Sequence, residues 1–204
     1  MNLQQTVLSQ FKQPRGFLGR VAGKIMANRP SNIQRNSWLL ELMQLKTTDR
    51  VLEIGFGPGL AIEGALQEVT QGMVVGIDHS EVMLKQASHR NATAINEGRA
   101  SLMCANISEL PEAITSYDHI YSANVVQFWD DPVKIFGKLR NMLAQDGSVA
   151  SLFMPRHKGA ISEDSYAFAR KIEDWMQRAG FINISVEEKT FDSLVAVCVI
   201  GRLQ

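Results

Sequence analysis

The sequence predicts a three-layer α/β fold built on a doubly wound, mostly parallel sheet of seven strands, with an antiparallel C-terminal strand and an N-terminal helical cap. Two observations carry this prediction. From residue 49 onward, short apolar segments alternate with amphipathic helical segments, which is typical of parallel sheets covered by helices on both faces. The last two predicted strands follow each other without an intervening helix, so we expect a hairpin that makes one strand antiparallel.

The N-terminal segment is predicted to be helical. We expect residues 1–48 to form a lid over a core of residues 49–204, within the single domain that 204 residues allow. Apolar side chains within residues 17–26 fall on one helical face, which must pack against another surface. Pro30 ends that run, and Ser31 is a suitable N-cap for a second helix.

The remaining elements follow from the hydrophobic pattern. The predicted strands are Val51–Ile54, Val74–Ile77, Ser101–Cys104, His119–Ser122, Ser148–Phe153, Ile182–Thr190 and Leu194–Ile200. The predicted helices cover residues 60–69, 81–96, 108–114, 132–144 and 163–179. We find no internal repeat and no linker, so we expect no second domain.

Composition narrows the class of protein. A hydrophobic share of 45% with 21% charged residues is typical of a soluble globular chain, and we expect a cytoplasmic location. The net charge is zero, which disfavours a general nucleic-acid binder, although the first 40 residues carry six basic and no acidic side chains. Cys104 and Cys198 lie in apolar runs without metal-ligand spacing, so we interpret them as reduced core thiols and expect no metal site.

The most informative stretch runs from Val51 to Gly59, where an apolar strand leads into three glycines and then a helix. Glycine lets the backbone adopt unusual dihedral angles and approach a ligand closely, and a helix amino end adds N–H donors. A dinucleotide-binding loop needs a third small residue where this chain has Leu60. The Lys-Ser/Thr pair that ends a triphosphate-binding loop is also missing from this stretch.

Glu53 followed by Gly-x-Gly-x-Gly resembles motif I of the class I methyltransferases. Residues 75–80 are similar to the second-strand motif of that family, with Asp78 placed 25 positions after Glu53. Residues 117–124 and 139–148 are similar to its fourth-strand motif and to the helix-turn-strand motif that follows. The four motifs occur in the family's order, so the resemblance implies a methyltransferase that uses S-adenosylmethionine.

The resemblance also implies which residues contact the cofactor. They lie in the glycine loop and in the segments after the second, third and fourth strands: Glu53, Gly55, Phe56, Gly57, Gly59, Asp78, His79, Met83, Asn106, Ile107 and Asn124. A carboxylate at Asp78 can accept from both ribose hydroxyls. Asn106 departs from the pattern, because the family usually has an Asp there to accept from the adenine amino group. Met83 at helical spacing fits a core position equally well.

In-line methyl transfer needs mainly an aligned acceptor, so the absence of an identifiable general base leaves the catalytic residues open. The segment 124–127 lacks the Asn/Asp-Pro-Pro-aromatic set of enzymes that methylate nucleic-acid amino groups. Together with the absence of a large insertion between strands, this favours a small acceptor, apolar or anionic. The candidate acceptor contacts are Trp38, Gln127, Phe128, Trp129 and Arg156. Phe128 and Trp129 fit core or lid packing equally well, and Arg156 fits a solvated loop.

Three alternatives remain open at this point. The chain could bind S-adenosylmethionine or its product without catalysis. It could methylate RNA, with the basic N-terminal segment as the contact surface. It could attach to a membrane surface through residues 17–28. The oligomeric state, monomer or homodimer, is open as well.

Overall fold

The structure is a computed structural model that describes residues 30–109 and 116–203. The strands are β1 (Arg50–Ile54), β2 (Met73–Asp78), β3 (Ala100–Cys104), β4 (Tyr117–Ala123), β5 (Leu143–Phe153), β6 (Asn183–Phe191) and β7 (Leu194–Arg202). The helices are α1 (Pro30–Met43), α2 (Leu60–Glu68), α3 (Glu81–Arg90), α4 (Ala92–Asn96), α5 (Pro132–Asn141) and α6 (Ser162–Arg178), with a 3-10 turn at Val126–Phe128.

The seven strands form one sheet in the order β3-β2-β1-β4-β5-β7-β6. The first five strands pair in parallel, whereas β7 is antiparallel to both β5 and β6. The predicted mostly parallel sheet with an antiparallel C-terminal strand is therefore confirmed. The chain runs outward from β1 to β3 and then returns to β4 on the other side of β1. In open α/β sheets such a reversal leaves a crevice at the carboxyl ends of the strands where ligands bind.

Helices cover both faces of the sheet, which gives the three predicted layers. On one face α1, α2 and α3 pack against the strands through side chains such as Leu39, Ile62 and Ala87. On the other face α5 and α6 bury an apolar stripe that includes Phe136 and Ile172. The stripe recurs at helical spacing, so each helix keeps its polar face toward solvent. This packing holds the carboxyl ends of the strands in register.

Several expectations from the sequence need correction. The helix predicted over residues 81–96 is two helices, α3 and α4, separated at Asn91. Ser31 lies inside α1 and is not its N-cap, because that helix begins at Pro30. Cys104 is exposed and not in the core, because it ends β3, an edge strand of the sheet. Cys198 is buried as expected.

Two predicted helices fall on parts of the chain that the structure does not describe. The helix within residues 17–28 lies outside the described residues altogether, and that over 108–114 lies mostly outside them. The described helix α1 is packed into the core through Leu39 and Met43, next to α2. A lid function for residues 1–48 stays a prediction. Within residues 30–109 and 116–203, no helix has the length and apolar character that crossing a membrane requires.

Candidate active site

The glycine loop connects β1 to α2 at the point where the sheet reverses its strand order. Gly55, Gly57 and Gly59 all have positive φ angles, of 73°, 52° and 81°. This left-handed backbone is accessible to glycine at little cost. A Cβ on Gly55 would collide with the side chain of Val125, which follows β4. The loop after β1 and the loop after β4 are therefore in direct contact across the predicted crevice.

Asp78 ends β2 beside this loop. Its Oδ2 accepts a hydrogen bond of 2.9 Å from the backbone N–H of Gly57, and its Oδ1 accepts one of 2.9 Å from Ser80. Burial raises the pKa of the Asp78 carboxyl, and these two hydrogen bonds oppose the rise. Ser80, and not Asp78, caps α3 by accepting from the N–H of Met83. Asp78 thus links the glycine loop to the end of β2, as a residue shared by both halves of a cofactor site should.

Glu53 lies at the floor of the loop and is 3% exposed. Tyr121 stands opposite it in the β1–β4 register and donates a hydrogen bond of 3.3 Å from its hydroxyl to Glu53 Oε2. Burial raises the pKa of Glu53 to about 8, while the Tyr121 hydrogen bond opposes the rise and the charge of Asp78 adds to it. The carboxyl group of Glu53 is therefore hydrogen-bonded to a neighbouring residue and shielded from solvent. Tyr121 has no sequence signal, because the register of strands that are distant in the chain cannot be read from the pattern.

The carbonyl side of the glycine loop is held by the end of α3. Asn91 is buried, and its Nδ2 donates to the carbonyl oxygens of Gly59 at 3.2 Å and Ala87 at 2.9 Å. Arg90 donates from Nε to the carbonyl of Pro58 at 3.1 Å. Sequence reasoning missed both residues. Asn91 did carry a weak signal, since asparagine inside a predicted helix competes with the backbone for hydrogen bonds and favours helix ends.

Three predicted cofactor residues have buried side chains. Phe56, Met83 and Ile107 are buried in the two hydrophobic clusters of the core. His79 is different, because 46% of its side chain is exposed and its Nδ1 lies 3.7 Å from Asp78 Oδ1.

The loop after β3 is tied to the other face of the sheet. Asn106 Oδ1 accepts from the N–H of Ser108 at 3.1 Å, which forms a local turn. The carbonyl of Ile107 accepts from Nζ of Lys138, on α5, at 3.0 Å. The predicted adenine contact of Asn106 stays a prediction, and the amide oxygen would have to serve the turn and the ligand together.

The side chain of Asn124 organises the loop after β4. The backbone of this residue has a positive φ of 55°. Its Nδ2 donates to the carbonyl of Met154 at 2.9 Å, and its Oδ1 accepts from the N–H of Met154 at 2.9 Å. The amide thereby joins the carboxyl ends of β4 and β5. Gln127 donates from Nε2 to the carbonyl of Asn124 at 2.8 Å. The buried Oε1 of Gln127 accepts no hydrogen bond from the described residues.

The other candidate acceptor contacts are dispersed. Trp38 is buried on α1, where its ring centroid lies 5.9 Å from that of Phe191. Trp129 packs edge-on against Phe136 at 5.2 Å, so it belongs to the core on the α5 face. Phe128 is 43% exposed. Arg156 follows β5 and donates a hydrogen bond to Oδ1 of Asn32, on α1. The structure therefore places Gln127 against Asn124 in the loop after β4 and packs Trp38 and Trp129 against other aromatic rings.

His119 lies at the opposite, amino end of the sheet. Its Nδ1 pairs with Ser148 Oγ at 2.9 Å and its Nε2 lies 3.3 Å from Asp49 Oδ2. Burial lowers the pKa of His119, and the Asp49 carboxylate opposes that change. These contacts give His119 a structural role at that end of the sheet. Among the described residues no group of three or more His, Cys, Asp or Glu side chains could hold a metal ion.

Comparison with known proteins identifies the family. Residues 51–147 match the model of a methyltransferase domain, a span that contains the glycine loop, Asp78 and the loop after β4. The chain is also 29% identical over 182 residues to an uncharacterized methyltransferase, YdaC, of Bacillus subtilis (strain 168). That similarity covers 89% of this chain and 97% of the relative.

The chain carries a methyltransferase domain of the class I, S-adenosylmethionine-dependent type.

Two other matches are of a different kind. One covers less of the chain, and the other shows similarity of the fold. It is 26% identical over 153 residues to a tRNA U34 carboxymethyltransferase of Photobacterium profundum, which covers 69% of this chain and 47% of that protein. The methyltransferase thus spans about half the length of those relatives. A solved methyltransferase from Aquifex aeolicus superposes with a TM-score of 0.72 at 19% identity, covering 91% of this chain and 98% of the other.

The geometry of the loop fits the family's cofactor. Three glycines with left-handed backbone form the loop beside Asp78, and a Cβ on Gly55 or Gly59 would overlap neighbouring residues. The buried Asp78 carboxylate supplies charged acceptor oxygens next to the glycine loop, which suits a ribose. The amino end of α2 adds a positive dipole end beyond Gly59. The residues present are therefore of the kind that S-adenosylmethionine binding requires.

Proposed function

We propose that this methyltransferase transfers the methyl group of S-adenosylmethionine to a small-molecule acceptor by in-line displacement. The observation that carries the proposal is the meeting of the glycine loop, Asp78 and the loop after β4 at the reversal of the sheet. The first two supply the expected contacts for the cofactor. The third borders the same crevice through Val125 and leads to Gln127.

When bound, S-adenosylmethionine supplies an electrophilic methyl group on a sulfonium that is already a good leaving group. The residues of this chain then have two tasks, to orient the cofactor and to align the acceptor at near-attack distance. Asp78 and the glycine loop perform the first task. The loops after β4 and β5 perform the second, with Asn124 holding the two loops together. Gln127 offers its buried Oε1 as an acceptor for a ligand donor.

The connections that face the crevice limit the size of the acceptor. Residues 124–131 join β4 to α5, and residues 154–161 join β5 to α6. Both connections are short, so they add no further layer or domain above the carboxyl ends of the strands. A pocket formed by such loops and by the start of α1 suits a small molecule.

RNA is the second candidate acceptor, and one specific observation favours it. The curated relatives include tRNA U34 carboxymethyltransferases. This chain spans about half of their length, and its described residues carry the methyltransferase fold without a further RNA-binding layer. We therefore place RNA second.

The test is a transfer assay with methyl-labelled S-adenosylmethionine. The purified protein is incubated in parallel with a deproteinised extract of small metabolites and with total tRNA, and Asp78→Ala serves as the control variant. We expect label to enter the small-molecule fraction with the wild-type protein and much less with Asp78→Ala. Label entering tRNA alone would replace the small-molecule proposal with the RNA alternative. Tight cofactor binding without transfer to either fraction would indicate a non-catalytic binder.

A further inference from the structure

The carboxyl group of Glu53 lies where three elements meet at the glycine loop. Glu53 belongs to β1, and the Tyr121 hydroxyl that donates to its Oε2 comes from β4. The backbone N–H of Ile62, in the first turn of α2, is a further hydrogen-bond donor to this carboxyl. Gly59, the N-cap of α2, has no side chain to cap the helix. Glu53 therefore supplies an acceptor at the amino end of α2 from the neighbouring strand.

Two carboxyl groups, those of Glu53 and Asp78, share this site, and their surroundings differ. Burial raises the pKa of both groups. Asp78 accepts hydrogen bonds of 2.9 Å from two backbone N–H groups, which favour its ionised form. Burial, together with the charge of Asp78, raises the pKa of Glu53 to about 8. Because the two environments separate the two pKa values, Asp78 ionises first and Glu53 keeps its proton at neutral pH.

The groups that act on Glu53 come from the elements packed around it. Besides burial, the Tyr121 hydroxyl on β4 lowers its pKa, Asp78 at the end of β2 raises it, and the backbone of Ile62 on α2 lowers it. Charged side chains of the adjoining segments that are not among these groups are Arg35 on α1, Glu63 on α2, His79 after β2 and Arg90 on α3. A positive charge bound near the Glu53 carboxyl would favour its ionised form.

Such a charge is part of the cofactor. S-adenosylmethionine and S-adenosylhomocysteine each carry an ammonium group, and S-adenosylmethionine carries a sulfonium in addition. Glu53 lies close enough to Asp78, the expected ribose contact, for the charge of Asp78 to act on it. A ligand bound beside Asp78 is therefore within electrostatic range of Glu53.

We propose that Glu53 and Tyr121 form a proton-linked receptor for the positive charge of the cofactor. Glu53 loses its proton as the cofactor binds: the carboxyl O–H bond breaks, its electron pair stays on the oxygen, and the proton passes to the buffer. Tyr121 is a positioning residue, because its hydroxyl holds the carboxylate that results. Cofactor affinity therefore increases as the pH rises through the neutral range. This inference concerns the cofactor alone and holds for any acceptor.

The number of protons released on binding is the direct readout. Calorimetry of S-adenosylhomocysteine binding in buffers of different ionisation enthalpy gives this number, and a series from about pH 6 to about pH 8 gives the affinity profile. Methylthioadenosine is the matched ligand, because it retains the adenosine and the sulfur but lacks the ammonium group.

Three variants assign the proton. Glu53→Gln removes the titrating group with little change of shape. Tyr121→Phe removes only the hydroxyl, and Tyr121→Met takes its place if that variant does not fold. Tyr117→Phe is the matched control, because Tyr117 is a buried tyrosine of the same strand whose hydroxyl interacts with Arg50 at the amino end of β4.

We expect the wild type and Tyr117→Phe to release about half to one proton per bound S-adenosylhomocysteine at about pH 7. Their affinity should rise about three- to thirty-fold from about pH 6 to about pH 8. Glu53→Gln should not release this proton and should show a flat profile. Tyr121→Phe should shift the rise in affinity to higher pH, since the carboxylate loses a donor. Methylthioadenosine should bind the wild type without release of the proton.

The proposal is wrong if the wild type and Glu53→Gln release the same number of protons, or if methylthioadenosine releases as many as S-adenosylhomocysteine does. If the profile of Tyr121→Phe matches that of Tyr117→Phe, the hydroxyl of Tyr121 does not position the carboxylate. Failure of the cofactor assignment has a different signature, since the wild type would then not bind S-adenosylhomocysteine at any pH.

Discussion

The two sides of the crevice are built in different ways. On the cofactor side, backbone groups of residues 55–59 are bonded to β2, to one another and to the end of α3. On the acceptor side, the loops after β4 and β5 are joined mainly by the side chain of Asn124, and Phe128 is exposed. The first side is held mainly through backbone groups of one short loop. The second side is assembled from two separate loops. Such an arrangement suits a surface that must differ between acceptors.

The largest expected effect comes from filling the glycine loop. Gly59 and Gly159 have nearly the same φ, 81° and 80°, but they lie on opposite sides of the crevice. A Cβ on Gly59 would lie 2.8 Å from Cβ of Ala87 and 2.8 Å from Nδ2 of Asn91, whereas one on Gly159 would meet nothing within 4 Å. Alanine at either position takes on left-handed strain of about 1–2 kcal/mol. Gly59→Ala adds overpacking of about 1–3 kcal/mol.

Chemical denaturation of the two alanine variants measures this difference directly. We expect Gly59→Ala to be the less stable by the overpacking term and to lose affinity for S-adenosylhomocysteine as well. Gly159→Ala should keep the wild-type affinity. Equal losses of stability in both variants would contradict the tight contact between the glycine loop and α3.

The next effect concerns two acidic residues that both accept backbone hydrogen bonds. Asp78 Oδ1 accepts from Ser80, and Asp131 Oδ1 accepts from the N–H of Lys134 at 3.0 Å as the N-cap of α5. Replacing either by alanine should lower stability, by about 1 kcal/mol for the cap. Asp78→Ala should also weaken S-adenosylhomocysteine binding by about 1–3 kcal/mol, because the ribose hydroxyls lose a charged acceptor. Calorimetry that finds the same dissociation constant for both variants would move the ribose away from Asp78.

Prediction from sequence succeeded for local features and failed for tertiary contacts on both sides. The seven strands and the glycine loop were predictable because periodicity and glycine spacing are local properties of the chain. The loop contacts of Asn91 and Tyr121, and the hydrogen bond from Arg156 to Asn32, depend on tertiary packing between segments far apart in sequence. Trp38 was a candidate acceptor contact because an aromatic on an amphipathic helix suits a pocket and a core equally.

The same limit explains the smaller errors. Cys104 was expected in the core because its neighbours are apolar, but strand order, which places β3 at the edge, cannot be read from composition. The predicted helix over 81–96 was split because Asn91 uses its side chain to hold the glycine loop. In both cases the tertiary arrangement, and not the local pattern, decided the outcome.

A third prediction concerns Glu53, on the cofactor side. Its folded pKa is about 8 against 4.5 for the unfolded chain, so between these pH values the folded protein retains a proton that the unfolded chain has lost. The stabilisation from this proton is complete below pH 4.5 and is lost as the pH rises through about 8, with a slope of at most about 1.4 kcal/mol per pH unit. Glu53→Gln removes this pH dependence, because a glutamine side chain does not titrate in this range.

Denaturation at a series of pH values from about 5 to about 8 should therefore show the wild type losing stability relative to Glu53→Gln as the pH rises. Other groups, including His119, titrate in both proteins and cancel in the difference. A difference that does not change with pH would mean that Glu53 is already ionised in the folded protein.

The smallest effect is expected at Asn106. A carboxylate at this position can still accept from the N–H of Ser108, and it adds charge toward the adenine amino group. Asn106→Asp should leave S-adenosylhomocysteine affinity unchanged or increase it a few-fold. A large loss of affinity would show that the adenine lies elsewhere.

Binding of S-adenosylhomocysteine and of NAD to the wild-type protein, compared by calorimetry, tests the central claim most directly. The claim is that the loop from Gly55 to Gly59, with Leu60 in place of a third small residue, accommodates an adenosyl sulfur compound beside Asp78 and not a dinucleotide. We expect saturable one-to-one binding of S-adenosylhomocysteine and no heat of binding from NAD. Saturable binding of NAD, without binding of S-adenosylhomocysteine, would contradict the account of this site.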